Sequence, residues 1–123
     1  MTNQELATCA LNNFPIKVAL INNDSLGMVR QWQTLFYDRT YSHTKLGGEV
    51  YMPDFVKLAE AYGHVGMRIT DLKDLKPMME EAFAMKNRLV FLDIAVDTAE
   101  HVYPMQIKDG AMRDMWLSKT ERT

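Results

Sequence analysis

Three short apolar runs, 16–21, 64–69 and 88–96, alternate with amphipathic helical patterns, and this alternation constrains the chain more than any other feature. Strands that are nearly continuously apolar need cover on both faces, and strands alternating with helices are joined in parallel. The expected fold class is α/β, a partial parallel sheet with helices on both faces. Three strands make a narrow sheet with unpaired edges, so the chain is expected to belong to a larger domain or to be completed by a partner.

The helices follow from spacing. Residues Gln4 to Asn12 place Leu6, Cys9 and Ala10 on one face, with Thr2 or Asn3 as the cap. Met28, Trp32, Leu35 and Phe36 form the apolar stripe of a second helix, leaving Arg30, Gln31 and Gln33 on its other flank, toward solvent or a ligand. Pro53 and Asp54 open a third helix that buries Phe55, Leu58, Ala59 and Tyr62, and Gly63 ends it. A fourth helical region begins at Thr70 or Asp71. Pro77 predicts that its regular part starts at Asp74, with Leu75, Met78, Met79, Ala82 and Phe83 inward. Between Asp38 and Val50 the pattern gives way to a polar, glycine-bearing loop, a lid candidate.

With 123 residues the chain is one domain at most, and its net charge of −2 gives no electrostatic case for nucleic acid or anionic lipid. No apolar run approaches the roughly 20 residues of a membrane span, so no membrane partner is expected. The single Cys9 excludes an internal disulfide and fits a cytoplasmic setting. Ten methionines read as fillers of a core or a contact surface.

Chemistry concentrates in Leu20-Ile21-Asn22-Asn23-Asp24-Ser25-Leu26-Gly27-Met28, where an apolar run stops at two amides and a glycine. That is the profile of a buried strand whose carboxyl end opens onto a ligand. An asparagine oxygen can complete the shell of a hard cation such as magnesium, provided that a carboxylate and substrate phosphates supply the charge. Other chemistries lack their patterns. Leu46-Gly47-Gly48 has no following lysine, and His43, His64 and His101 lack the helical pairing of a zinc site. There is no serine elbow, and Cys9 reads as a small core thiol.

The segment MTNQELATCALNNFPIKVALINNDSLGMVRQWQTLFYDR resembles the thiamine diphosphate binding region of acetohydroxyacid synthase (acetolactate synthase) large catalytic subunits. DFVKLAEAYGHVGMRI, LVFLDIAVD and EHVYPMQIKDGAMRDMWLSKTERT extend the likeness to the last residue, with an ending similar to the isozyme III type. The resemblance implies a thiamine diphosphate-binding fold, truncated at its N-terminal end. The family's signature opens with Gly-Asp-Gly further upstream than the 21 residues that precede Asn22, so its acidic magnesium ligand is expected before Met1. Asp24 falls at a position that the family leaves variable.

By the same resemblance, Asn23 holds magnesium through its side chain and Ser25 through its backbone oxygen. Leu26, Gly27 and Met28 run along the cofactor, with Met28 against the thiamine rings. Spacing alone puts Trp32 in the stripe with Met28, Leu35 and Phe36; the resemblance makes it a wall of the second-substrate pocket. No catalytic residue is assigned. The implied activity is condensation of pyruvate with pyruvate or 2-oxobutyrate in branched-chain amino acid biosynthesis, with 2-oxo acids as substrates. The implied setting is a homo-oligomer with a small regulatory subunit and FAD bound outside this chain. Residues 1–99 are expected to form the C-terminal part of the cofactor domain and 100–123 a tail and lid candidate, and the chain alone is expected to be inactive. The alternatives are another thiamine diphosphate carboligase or decarboxylase, against which Trp32 in Arg-Gln-Trp-Gln argues, and a non-catalytic α/β interaction module.

Overall fold

The computed structural model describes residues 2–46, 52–106 and 109–120. In chain order the elements are α1 (Glu5–Leu11), β1 (Lys17–Asn22), α2 (Gly27–Phe36), α3 (Phe55–Ala61), β2 (Val65–Ile69), α4 (Leu72–Ala84), β3 (Val90–Ala95), β4 (Met105–Gln106) and β5 (Met115–Trp116). Residues 2–23 and 52–96 make one compact unit; 24–46, 97–106 and 109–120 make a second. Gly47, Gly48 and Val50, at the end of the predicted loop, lie outside the described residues, as does Met1.

The first unit is a three-stranded sheet in the order β1-β3-β2, parallel throughout. Alternate residues of the central strand β3 feed two cores, one shared with β1 and the other with β2. On one face Leu89 and Phe91 meet Val18, Leu20, Leu6 of α1 and Ala59 of α3, and the Phe55 and Phe91 rings stack with centroids 6.4 Å apart. On the other, Val90 and Leu92 meet Val65, Met67 and Ile69 together with Leu75, Met78 and Ala82 of α4. Helices thus cover both faces of a parallel sheet, as the alternation of apolar runs and helical patterns implies.

Local signals explain the element ends. Asp54 caps α3 by accepting the Val56 and Lys57 N–H groups, and Asp71 caps α4 by accepting that of Lys73. Gly63, with φ +79°, takes the left-handed conformation that closes α3, and its N–H donates to the Glu60 carbonyl. Gly66 sits where β2 meets α3, and a Cβ there would lie 2.7 Å from the Val56 carbonyl oxygen.

Several boundaries differ from expectation. Neither Thr2 nor Asn3 caps α1 through its side chain: Gln4 stands at the N-cap and the first turn closes through the Thr2 and Asn3 carbonyls. Helix α4 starts at Leu72 rather than Asp74, because Asp71 supplies the cap, and Pro77 therefore lies inside it. Packing of Leu75, Met78 and Ala82 on the sheet offsets the hydrogen bond that the proline forgoes. In the second unit, Met105–Gln106 and Met115–Trp116 form a short antiparallel ladder that periodicity did not announce.

Candidate functional site at the carboxyl end of β1

Strand β1 runs one residue further than its apolar pattern, so Asn22 lies in the strand and Asn23 directly follows it. The carboxyl end of a parallel strand is where open α/β sheets bind ligands. Here the face covered by α3 changes from apolar to ionic. Leu20, Asp93 and Arg68 share one register across the three strands. The Asn22 Nδ2 donates to Asp93 Oδ1 at 3.0 Å, and Arg68 Nε donates to Asp93 Oδ2 at 3.1 Å. Arg68 Nη2 continues the chain to Asp54 Oδ1 at 2.8 Å.

Asp93 is 4% exposed. Both carboxylate oxygens are hydrogen-bonded, the condition under which a buried charge is tolerated. The bond to Asp93 foremost, and the Asp54 charge, raise the Arg68 pKa above its ordinary value. Asp54 is held below the usual carboxylate range, first by the Lys57 N–H and then by the Arg68 charge. Sequence reasoning missed this network. Its trace is an acid inside the run Phe91-Leu92-Asp93-Ile94, matched by one arginine in the preceding strand.

In the second unit, Ser25 precedes α2 and is buried, and its hydroxyl donates to the Thr44 carbonyl at 2.9 Å. The Leu26 N–H donates to the same carbonyl, and Ser25 bridges to Lys45 in antiparallel fashion. The described part of the polar loop is therefore a strap clipped to the start of α2. Gly27 opens that helix, Leu26 and Met28 are about half exposed, and Trp32 is 37% exposed beside the Phe36 ring. Gln31, placed by spacing on a polar flank, is 1% exposed. Its Oε1 accepts the Val102 N–H and its Nε2 donates to the Val102 carbonyl, so it pins the segment that leads into β4.

Ser25, Leu26, Gly27 and Met28 are thus gathered at the start of one helix, with Trp32 a turn further along it, while Asn23 ends the earlier of the two segments that make up the first unit. Among the described residues no group of three or more histidine, cysteine, aspartate or glutamate side chains could hold a metal ion. The oxygens that the sequence singled out are neutral, the Asn23 amide and the Ser25 carbonyl. Neutral oxygens suit magnesium as part of a shell that draws its charge from a carboxylate and phosphates. Asn23 belongs to the first unit and Ser25 to the second, and each taken by itself offers an oxygen of the kind that such a shell accepts. A separate cavity of about 190 Å³ in the first unit is lined by His64 and Leu89, toward the amino ends of β2 and β3. His64 there bonds the Leu6 carbonyl at 2.8 Å.

Residues 1–94 match the family described as thiamine pyrophosphate enzyme, C-terminal TPP binding domain, and the chain belongs to that family. Among curated relatives, the acetolactate synthase isozyme 3 large subunit of Escherichia coli is 50% identical over 125 residues, covering 100% of this chain and 21% of that protein. The Haemophilus influenzae acetolactate synthase large subunit is 50% identical over 98% of this chain and 21% of its own length. The Mycobacterium avium acetolactate synthase is 55% identical over 85% of this chain and 17% of its own. The chain thus spans about a fifth of the length of these relatives. A solved thiamine diphosphate-dependent 4-hydroxybenzoylformate decarboxylase from Rhodococcus jostii RHA1 superposes with a TM-score of 0.66 over 77% of this chain and 17% of its own, at 21% identity. At that identity the likeness establishes the fold.

Proposed function

We propose that this chain supplies one wall of the thiamine diphosphate site in an acetolactate synthase, a transferase that condenses pyruvate with pyruvate or 2-oxobutyrate. The observation that carries the reading is the Asn22-Asn23 pair at the carboxyl end of a parallel strand, in a chain half identical along its whole length to acetolactate synthase large subunits. Thiamine diphosphate supplies the carbanion-stabilising ring; the protein supplies binding, orientation and electrostatics. Asn23 would hold magnesium through its amide oxygen and Ser25 through its carbonyl. The tie of the Ser25 hydroxyl to Thr44 is consistent with a backbone role. Leu26, Gly27 and Met28 would line the cofactor, and the half-exposed indole of Trp32 would receive the second substrate.

Residues 1–99 are read as cofactor domain and 100–123, with the strap, as segments that order when cofactor binds. A homo-oligomer with a regulatory subunit, and FAD held outside this chain, complete the reading. Hydrogen exchange and sedimentation of the synthase with and without cofactor report on ordering and assembly.

The test of the site is Asn23→Ala in the full-length synthase. It is expected to raise the magnesium and cofactor concentrations for half-maximal activity about 10- to 100-fold, as loss of a metal-site group does. Trp32→Leu should reduce the preference for 2-oxobutyrate over pyruvate about tenfold, the scale of one methyl group in an apolar pocket. Unchanged cofactor dependence in Asn23→Ala, with an unchanged unfolding curve, would sink the assignment.

A further inference from the structure

Arg30, in the first turns of α2, and Lys45, on the strap, make no ion pair among the described residues. Both line one open cleft of about 370 Å³, and its other walls are Ser25, Tyr41, Thr44 and Thr98. Every one of those four carries a hydroxyl, and among the described residues no carboxylate lines the cleft.

The cleft is braced from behind. The Arg30 guanidinium lies over the Tyr41 ring, 5.1 Å from its centroid. Tyr41 in turn shares a 3.1 Å hydrogen bond with the Thr34 hydroxyl, which donates to the Arg30 carbonyl. Thr44 is buried; its hydroxyl donates to Gln33 Oε1, and its carbonyl receives the Ser25 hydroxyl and the Leu26 N–H. These ties restrict the guanidinium before any ligand arrives, which lowers the ordering cost of binding. The field of Arg30 also reaches His101, whose imidazole is held below its ordinary pKa by burial first and by the Arg30 charge second.

We propose that this cleft is a binding site for a small oxyanion, gripped by Arg30 and Lys45, with the Thr98 hydroxyl as a further donor. A guanidinium fork matches the two oxygens of a carboxylate or phosphate, and the ammonium adds a point charge. The oxyanion is either the carboxylate of a 2-oxo acid or a phosphoryl group. Naming the 2-oxo acid rests on the proposed function; the site itself does not.

The experiment titrates the isotopically labelled 123-residue chain with sodium pyruvate, inorganic phosphate or sodium chloride at matched ionic strength, without thiamine diphosphate or magnesium. Saturable shifts are expected at the Arg30 Nε–H and at the amides of Ser25, Thr44 and Thr98, with half-saturation at about 1–10 mM for pyruvate or phosphate and none for chloride. Arg30→Gln should weaken binding at least about tenfold, Lys45→Gln about threefold, and Arg30→Lys should restore part of the loss. Lys57→Gln, on α3 of the other unit, should change nothing. Earlier saturation by pyruvate assigns a carboxylate ligand, and earlier saturation by phosphate a phosphoryl one. Absence of saturable shifts, or shifts that survive both Arg30→Gln and Lys45→Gln in folded chains, overturns the site. If Arg30→Gln fails to fold, Lys45→Gln on the exposed strap decides. Because no cofactor is present, failure here leaves the Asn23 test of the synthase reading untouched.

Discussion

Asp93 couples the interior of the sheet to the residue that precedes the candidate magnesium ligand. Its side chain is 5% exposed and accepts from Asn22 on one strand and Arg68 on another. Asp93→Ala removes the bonds from Asn22 and from Arg68 Nε, while Arg68 keeps its tie to Asp54. Arg68 is nearly half exposed, so water recovers part of the loss. The variant is expected to be destabilised by about 2 kcal/mol, below the 3–5 kcal/mol typical of a fully buried pair. The check is urea unfolding with a lower midpoint and an unchanged slope; an unchanged midpoint would remove the network from the stability of the fold. Asp93 also marks the limit of what was legible. Asn22 and Asn23 stand out locally because two amides end an apolar run. The partners of Asp93, in contrast, lie 71 and 25 positions away, and only register brings them together. Gln31 was misread for the same reason, since helical spacing assigns a face but not what that face meets.

At the scale of elements, caps and periodicity read well because both are local. Asp54 and Asp71 each precede an apolar helical pattern, and both carboxyls sit below the usual range, Asp54 through the Lys57 N–H foremost and Asp71 through the Lys73 side chain foremost. A carboxyl whose folded-state pKa is depressed adds stability that is fully present above its unfolded value and lost as pH falls through its folded one. Thermal stability should therefore hold near pH 6 and decline below about pH 4. Asp54→Asn, which keeps a capping oxygen but loses the charge facing Arg68, should flatten that decline. Melting curves at pH 3 and pH 6 measure both effects. The β2–α3 contact was not legible, because nothing local distinguishes Gly66 from a loosening residue. A methyl group there meets backbone of Val56 at 2.7 Å and 2.9 Å, which a side-chain rotation cannot relieve. Gly66→Ala is expected to cost about 1–3 kcal/mol by overpacking. A chemical-denaturation midpoint equal to that of the parent would show that α3 shifts freely.

For the molecule as a whole, the parallel α/β class was legible because three apolar strands alternating with helices admit few other arrangements. The strand order was not, since β3 enters between β1 and β2 and nothing in its own residues distinguishes a central strand from an edge except continuous apolarity. That order leaves β1 at an edge with Ile21 62% exposed, and the candidate ligand Asn23 follows this edge strand. A magnesium diphosphate at such a place would meet neutral oxygens, and no acidic cluster among the described residues offsets the cation. Magnesium coordinates with full strength only when carboxylate charge accompanies such oxygens. Titration calorimetry of the 123-residue chain with thiamine diphosphate and magnesium is therefore expected to show binding no tighter than about 1 mM, near −4 kcal/mol. Micromolar affinity that vanishes when magnesium is chelated would show that residues of this chain complete the charge themselves.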